Sequence, residues 1–120
     1  MLIRLSRLPG LANRSWCNVD ATVKHFFSDG VYAKQQFLPA NHYVMTHKHN
    51  YDHLSILASG ACRVSVGDKM DYLYAPACIE IKAGIEHRIE ALADSVWYCI
   101  HHTDEKDVSK IDEVLIQKGV

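Results

Sequence analysis

Histidine is the residue whose type and spacing point to chemistry in this chain. The sequence holds 8 His against only 6 Gly, and all but His25 fall between residues 42 and 102. His47-Lys48-His49 places two imidazoles at i and i+2. On a strand they leave one face, because side chains alternate with period two, and they stand about 7 Å apart along the chain. That is near enough to converge on one ion. His53 follows after Asn50-Tyr51-Asp52, a segment suited to a turn into the next strand, and His87 comes three residues after Gly84. Imidazole nitrogen suits first-row transition metals, whereas Mg and Ca prefer oxygen. The spacing alone is a modest signal, since most histidines lie on the surface or are hydrogen-bonded in a core.

The elements that must position these side chains read as strands. β-rich runs at residues 21–27 and 31–38 flank Ser28-Asp29-Gly30, a strong hairpin signal. Further runs cover 42–49, 53–59, 61–66, 70–74, 77–82, 87–92 and 95–102, divided by Gly60, Gly67-Asp68, Ala75-Pro76, Ala83-Gly84 and Ala93-Asp94. Short strands at regular spacing indicate an all-β antiparallel sandwich or barrel. Asp107 is placed to cap a short C-terminal helix over about 107–118, with Val108, Ile111, Val114 and Leu115 on one face. The 120 residues are one domain's worth, with a barrel core at about 20–103.

From about residue 41 to 100 the chain resembles the cupin superfamily. The first cupin motif, G-x5-H-x-H-x3,4-E-x6-G, is matched by His47-x-His49, His53 in the Glu slot and Gly60. The second, G-x5-P-x-G-x2-H-x3-N, is matched at its core by Gly84-Ile85-Glu86-His87. Asn41, Pro76, Lys82 and Ala91 stand where the motifs have Gly, Gly, Pro and Asn. The resemblance implies a small jelly-roll barrel, with His47, His49 and His87 as ligands of a divalent transition metal (Fe, Ni, Zn, Co or Cu). It places His53 in a ligand slot, to ligate directly or to orient another histidine, with ligation favoured. It also implies a homodimer pairing barrel edges.

Exchanging the usual carboxylate ligand for a neutral imidazole leaves the metal's full charge uncompensated in a dry interior. Such a site favours a small anionic substrate of carboxylate or enolate type. The reading is a metal-dependent enzyme of dioxygenase, isomerase or lyase class. The alternative is a non-catalytic metal- or ligand-binding module, serving as a sensor or accessory protein. Strand parity puts Tyr43 and Met45 on the face of His47 and His49, nominating Tyr43 as a catalytic hydrogen-bond donor or acid. Ser95–His102 has two possible registers, with Trp97, Cys99 and His101 inward or Tyr98, Ile100 and His102 inward. The pair His101-His102 at its end reads as a surface feature, His25 and His42 as structural or solvated, and Arg88 and Glu90 as an outward solvated face.

Composition excludes other classes. Thirteen Lys+Arg against 14 Asp+Glu give a formal charge of −1, so no nucleic-acid partner is expected. No apolar run approaches the ~20 residues of a membrane span, and Arg4 and Arg7 interrupt the apolar N-terminus. A cytoplasmic protein with reduced cysteines is therefore expected. No P-loop, G-x-S-x-G elbow or H-E-x-x-H motif is present.

Overall fold

The structure is a computed structural model, describing the backbone of residues 4–7 and residues 23–46 and 48–111. Among the described residues ten strands form in chain order: β1 (Arg4–Arg7), β2 (Val23–Ser28), β3 (Val31–Leu38), β4 (His42–Met45), β5 (His53–Ser59), β6 (Ala61–Val66), β7 (Lys69–Tyr74), β8 (Ala77–Ile81), β9 (Arg88–Ala91) and β10 (Ser95–His102). They make two five-stranded sheets, ordered β1-β4-β9-β6-β7 (sheet A) and β2-β3-β10-β5-β8 (sheet B), with antiparallel pairing throughout.

Local sequence explains most of these elements. Gly30, at φ 70°, supplies the left-handed residue of the Asp29-Gly30 turn that closes β2 on β3. Along β3 and β10 burial alternates with period two, and Leu38, Leu57, Trp97 and Cys99 of sheet B meet Val44, Cys62, Val64, Ile89 and Ala91 of sheet A in one core. Burying each large member of that core contributes about 1.5–3 kcal/mol. The N-terminal segment adds an element the strand reading lacked, since β1 pairs with β4 as an edge of sheet A.

Three expectations are corrected. The run at 42–49 is not one strand: β4 stops at Met45. Its core residue is Val44, so Tyr43 faces away from the barrel interior, with the Arg88 guanidinium 4.2 Å from its ring centroid. The parity argument required unbroken alternation up to His49, and the chain leaves the ladder first. Glu90 does face outward on sheet A, but it is buried beneath Arg63, which binds it through both guanidinium arms, and Arg88 at 3.4 Å. Its neighbours' long side chains, not solvent, satisfy the carboxylate. At the C-terminal end, residues 107–110 form a turn in which Asp107 Oδ1 accepts from the Ser109 amide (2.9 Å) and hydroxyl (2.7 Å). Residues 112–118 of the expected helix lie outside the described residues.

Candidate metal centre

The interior face of sheet B changes character along its strands. At one end it is apolar, with Leu38, Leu57 and Trp97. At the other it carries Tyr32 opposite His101, and one residue past the last β10–β5 pair (Ile100 with Leu54) stands His53. His49, just after β4, closes over them and is anchored by its carbonyl, which accepts from the Gly84 amide at 3.0 Å. The ring centroids of His49 and His53 are 4.6 Å apart, those of His53 and His101 4.2 Å, and those of His49 and His101 5.2 Å. All three are buried, and one ring nitrogen from each lies within 4.8 Å of the others.

The hydrogen bonds suit ligation. His53 Nδ1 faces the Leu54 carbonyl oxygen at 3.2 Å, so it carries the proton and leaves Nε2 with the lone pair. His53 Nε2 and His101 Nε2 are buried with no hydrogen-bond partner among the described residues. Buried ring nitrogens without a partner are costly unless something satisfies them, and a divalent cation would. Burial pushes His53 below the ordinary imidazole range. Burial, reinforced by the neighbouring His53 and His49, holds His101 at about 2. His53 and His101 are therefore neutral at physiological pH, the form a metal ligand requires.

The sequence-derived candidates divide. His49 and His53 come together. His47 lies outside the described residues. His87 is buried, its amide bonded to Thr46 Oγ1 at 3.0 Å and its Nδ1 3.2 Å from the Ile85 carbonyl oxygen, but it stands outside the trio. It lines a cavity of about 250 Å³ between β6–β7 and β8, walled by Val64, Val66, Leu73, Ile79 and Ile85, with Lys69 and Lys82 offset by Asp71 and Glu80. Tyr43 is on the other side of sheet A. The residue that sequence reasoning missed is His101, 3% exposed rather than on the surface. Of the two registers the sequence left open, the structure buries the one in which His101 is in phase with Trp97 and Cys99. A second cavity of about 360 Å³ reaches His101 from outside between Tyr51, Asp52 and Asp104. Of its two carboxylates, Asp52 is paired with Lys82 at 3.5 Å and accepts from the Ala83 amide at 2.7 Å.

Beneath the trio lies a layer no sequence signal announced: Lys34, opposite Cys99, with the Ser55 hydroxyl 3.7 Å from Cys99 Sγ. Lys34 is 1% exposed, and burial lowers its amine from 10.5 to about 8. Between those values the unfolded chain binds more protons than the folded one, so stability rises with pH across that window. The rise amounts to about 3 kcal/mol. Lys34→Met removes the charged group, so it is expected to raise the urea midpoint at pH 7 and to flatten the gain between pH 7 and 10. An unchanged gain in the variant would assign the effect elsewhere.

No family model matches the sequence, and no curated protein matches it. Solved structures do. A cupin-2 domain protein from Halorhodospira halophila is 16% identical, covers 94% of this chain and 87% of its own, and has a TM-score of 0.60. KdgF from Halomonas sp. is 14% identical over 78% of this chain and 92% of its own, with a TM-score of 0.61. A cupin-2 domain protein from Shewanella frigidimarina is 17% identical over 76% and 84%, with a TM-score of 0.58. At these identities the likeness shows the fold, and the fold is that of a small cupin jelly-roll domain.

Proposed function

We propose that this chain is a metal-dependent cupin that holds a divalent transition metal through His49, His53 and His101 and acts on a small anionic substrate. The observation that carries the reading is the set of three buried imidazoles with ring nitrogens within 4.8 Å of one another. Three nitrogen ligands leave room for water or substrate on the ion, the open arrangement of catalytic sites. When bound, the ion supplies Lewis acidity toward a carboxylate or enolate oxygen.

The chain's own residues set the rest of the chemistry. No carboxylate belongs to the trio, so the ion's charge stays uncompensated and selects an anion. The 250 Å³ cavity beside His87 accepts a small, partly apolar body. His87 bonds through Nδ1 to the Ile85 carbonyl, leaving Nε2 as its basic atom at the wall of that cavity. Burial lowers its pKa, so it is neutral near pH 7 and able to accept a proton from substrate. This role replaces ligation for His87 in the present reading, and Tyr43, on the outer face, takes no part.

The test is elemental analysis of the purified protein together with cobalt(II) titration of the chelated form. The expected result is one transition metal per chain and visible absorption typical of nitrogen-ligated cobalt. Absence of both would overturn the reading.

A further inference from the structure

Strand β7 wears its polarity inside out. Its outward residues are Met70, Tyr72 and Tyr74, which are 49%, 51% and 68% exposed. The opposite phase, which brings Leu73 onto the core, carries Lys69 and Asp71. A strand with one face on a core ordinarily does the reverse, apolar in and polar out. The inverted face looks into the cavity of about 250 Å³ between β6–β7 and β8. Both β7 and β8 are edge strands, so this cavity lies in the seam that no ladder closes.

The charges around the cavity divide into used and unused ones. Lys82 Nζ is 2.7 Å from Glu80 Oε1 and 3.5 Å from Asp52 Oδ2, so these three satisfy one another at the rim. The side chains of Lys69 and Asp71 have no ion pair or hydrogen bond among the described residues. They stand two positions apart on one face, about 7 Å along the strand. The floor beneath them is apolar. Lys69 is opposite Val66 and Asp71 opposite Val64 in the β6–β7 ladder, and Leu73 and Ile79 continue that surface.

We propose that this cavity binds a small α-amino acid with a branched apolar side chain, its carboxylate on the Lys69 ammonium and its ammonium on the Asp71 carboxylate. Charge complementarity selects that class. An anion lacking an amine would satisfy Lys69 but meet Asp71 as a like charge, and an amine lacking a carboxylate would meet Lys69 in the same way. A zwitterion answers both. Its charged groups are one carbon apart, and a hydrogen bond of about 2.8 Å on each side lets it bridge the two positions. The same carbon carries the side chain, which falls on Val64, Val66, Leu73 and Ile79. An apolar wall that holds the body while a few polar groups fix its orientation is the usual build of a small-molecule site. The proposal rests on this cavity and not on the metal, since none of His49, His53 and His101 takes part.

Isothermal titration of the purified chain, with its metal content measured, tests this. The probes are L-leucine, isocaproate (the same skeleton without the amine) and isoamylamine (without the carboxylate). L-leucine is expected to bind at least about tenfold more tightly than either. It should also bind the chelated protein, so failure of the metal reading would leave this result standing. Asp71→Asn should bring leucine down to the affinity of isocaproate, and Lys69→Met down to that of isoamylamine. Both positions are exposed, and far-ultraviolet circular dichroism checks that the variants fold. In nuclear magnetic resonance the methyl signals of Leu73 and Ile79 should shift on titration. No binding of leucine, which would leave the inward charges as a guard against pairing at the open edge, overturns the proposal. So do equal affinities for the three probes, or a preference for leucine over isocaproate that survives Asp71→Asn.

Discussion

His101→Ala is expected to empty the metal site. With three imidazoles as the protein's ligands, deleting one should weaken binding by more than the 10- to 100-fold cost typical of perturbing a ligand's supporting contacts. Metal content should fall from one ion per chain to trace. Loss of fold is not the expected cause. The deleted ring carries a buried nitrogen without a hydrogen-bond partner, and it stands against two other imidazoles. Losing that unpaired polar group offsets part of the packing given up against Tyr32, His49 and His53, so the metal-free variant is expected to fold, with its thermal midpoint as the check. Two controls sharpen the result. His102→Ala, one residue on and exposed, should keep its metal. His87→Ala should also keep it while losing turnover, because His87 lies outside the trio. Metal analysis of the three variants, with thermal midpoints of the chelated proteins, separates the possibilities. If His87→Ala empties the site and His101→Ala does not, the ion sits on the ligand set implied by the cupin motifs instead.

The second large effect is on stability. Gly60, between β5 and β6, has φ 91°. A Cβ there would stand 2.3 Å from Ser95 Oγ, 2.4 Å from the Asp94 carbonyl oxygen and 2.8 Å from Ser95 Cα. Two of those atoms are backbone and cannot swing aside. Ser95 is fully buried and pinned, its hydroxyl donating to the Ala93 carbonyl at 2.8 Å and accepting from the Ala61 amide at 3.2 Å. Gly60→Ala therefore combines left-handed strain of about 1–2 kcal/mol with overpacking of about 1–3 kcal/mol. The melting temperature should fall by more than about 10 °C. Gly67→Ala is the matched control: its φ is also positive, at 60°, but nothing lies within 4 Å of the added carbon. It should cost only the backbone strain. Equal losses in the two variants would remove the steric argument.

The fold was largely legible because its signals are local. The strands at 31–38, 53–59, 61–66 and 95–102 have the limits expected from alternation and turn residues. The misreadings came where alternation stops. Between Met45 and His49 the chain leaves its strand, so counting by twos carried Tyr43 to the wrong side of sheet A. At the end of β10, the sequence left two registers open, and the structure takes the one that turns His101 inward with Trp97 and Cys99. A pair of histidines at a strand end reads as solvent-facing only while the neighbouring strands are unknown. Glu90 shows the same limit: parity placed it outward correctly, but parity cannot say that Arg63 and Arg88 cover it.

Residue order alone determined an all-β barrel of short antiparallel strands, and it marked His49 and His53 as neighbours, because turns and strand alternation depend on residues a few positions apart. Only the tertiary structure could decide which third imidazole joins them. His101 lies 48 positions from His53 in the chain, and it arrives beside it because β10 pairs with β5 in a register set by the whole core. The pairing of β3 with β10 sinks Lys34 under the histidines, and the sheet order β2-β3-β10-β5 gathers Phe26, Phe37, Leu54 and Ile56 onto one open face. Each of these is a relation between strands distant in sequence, held by ladder hydrogen bonds and shared apolar burial.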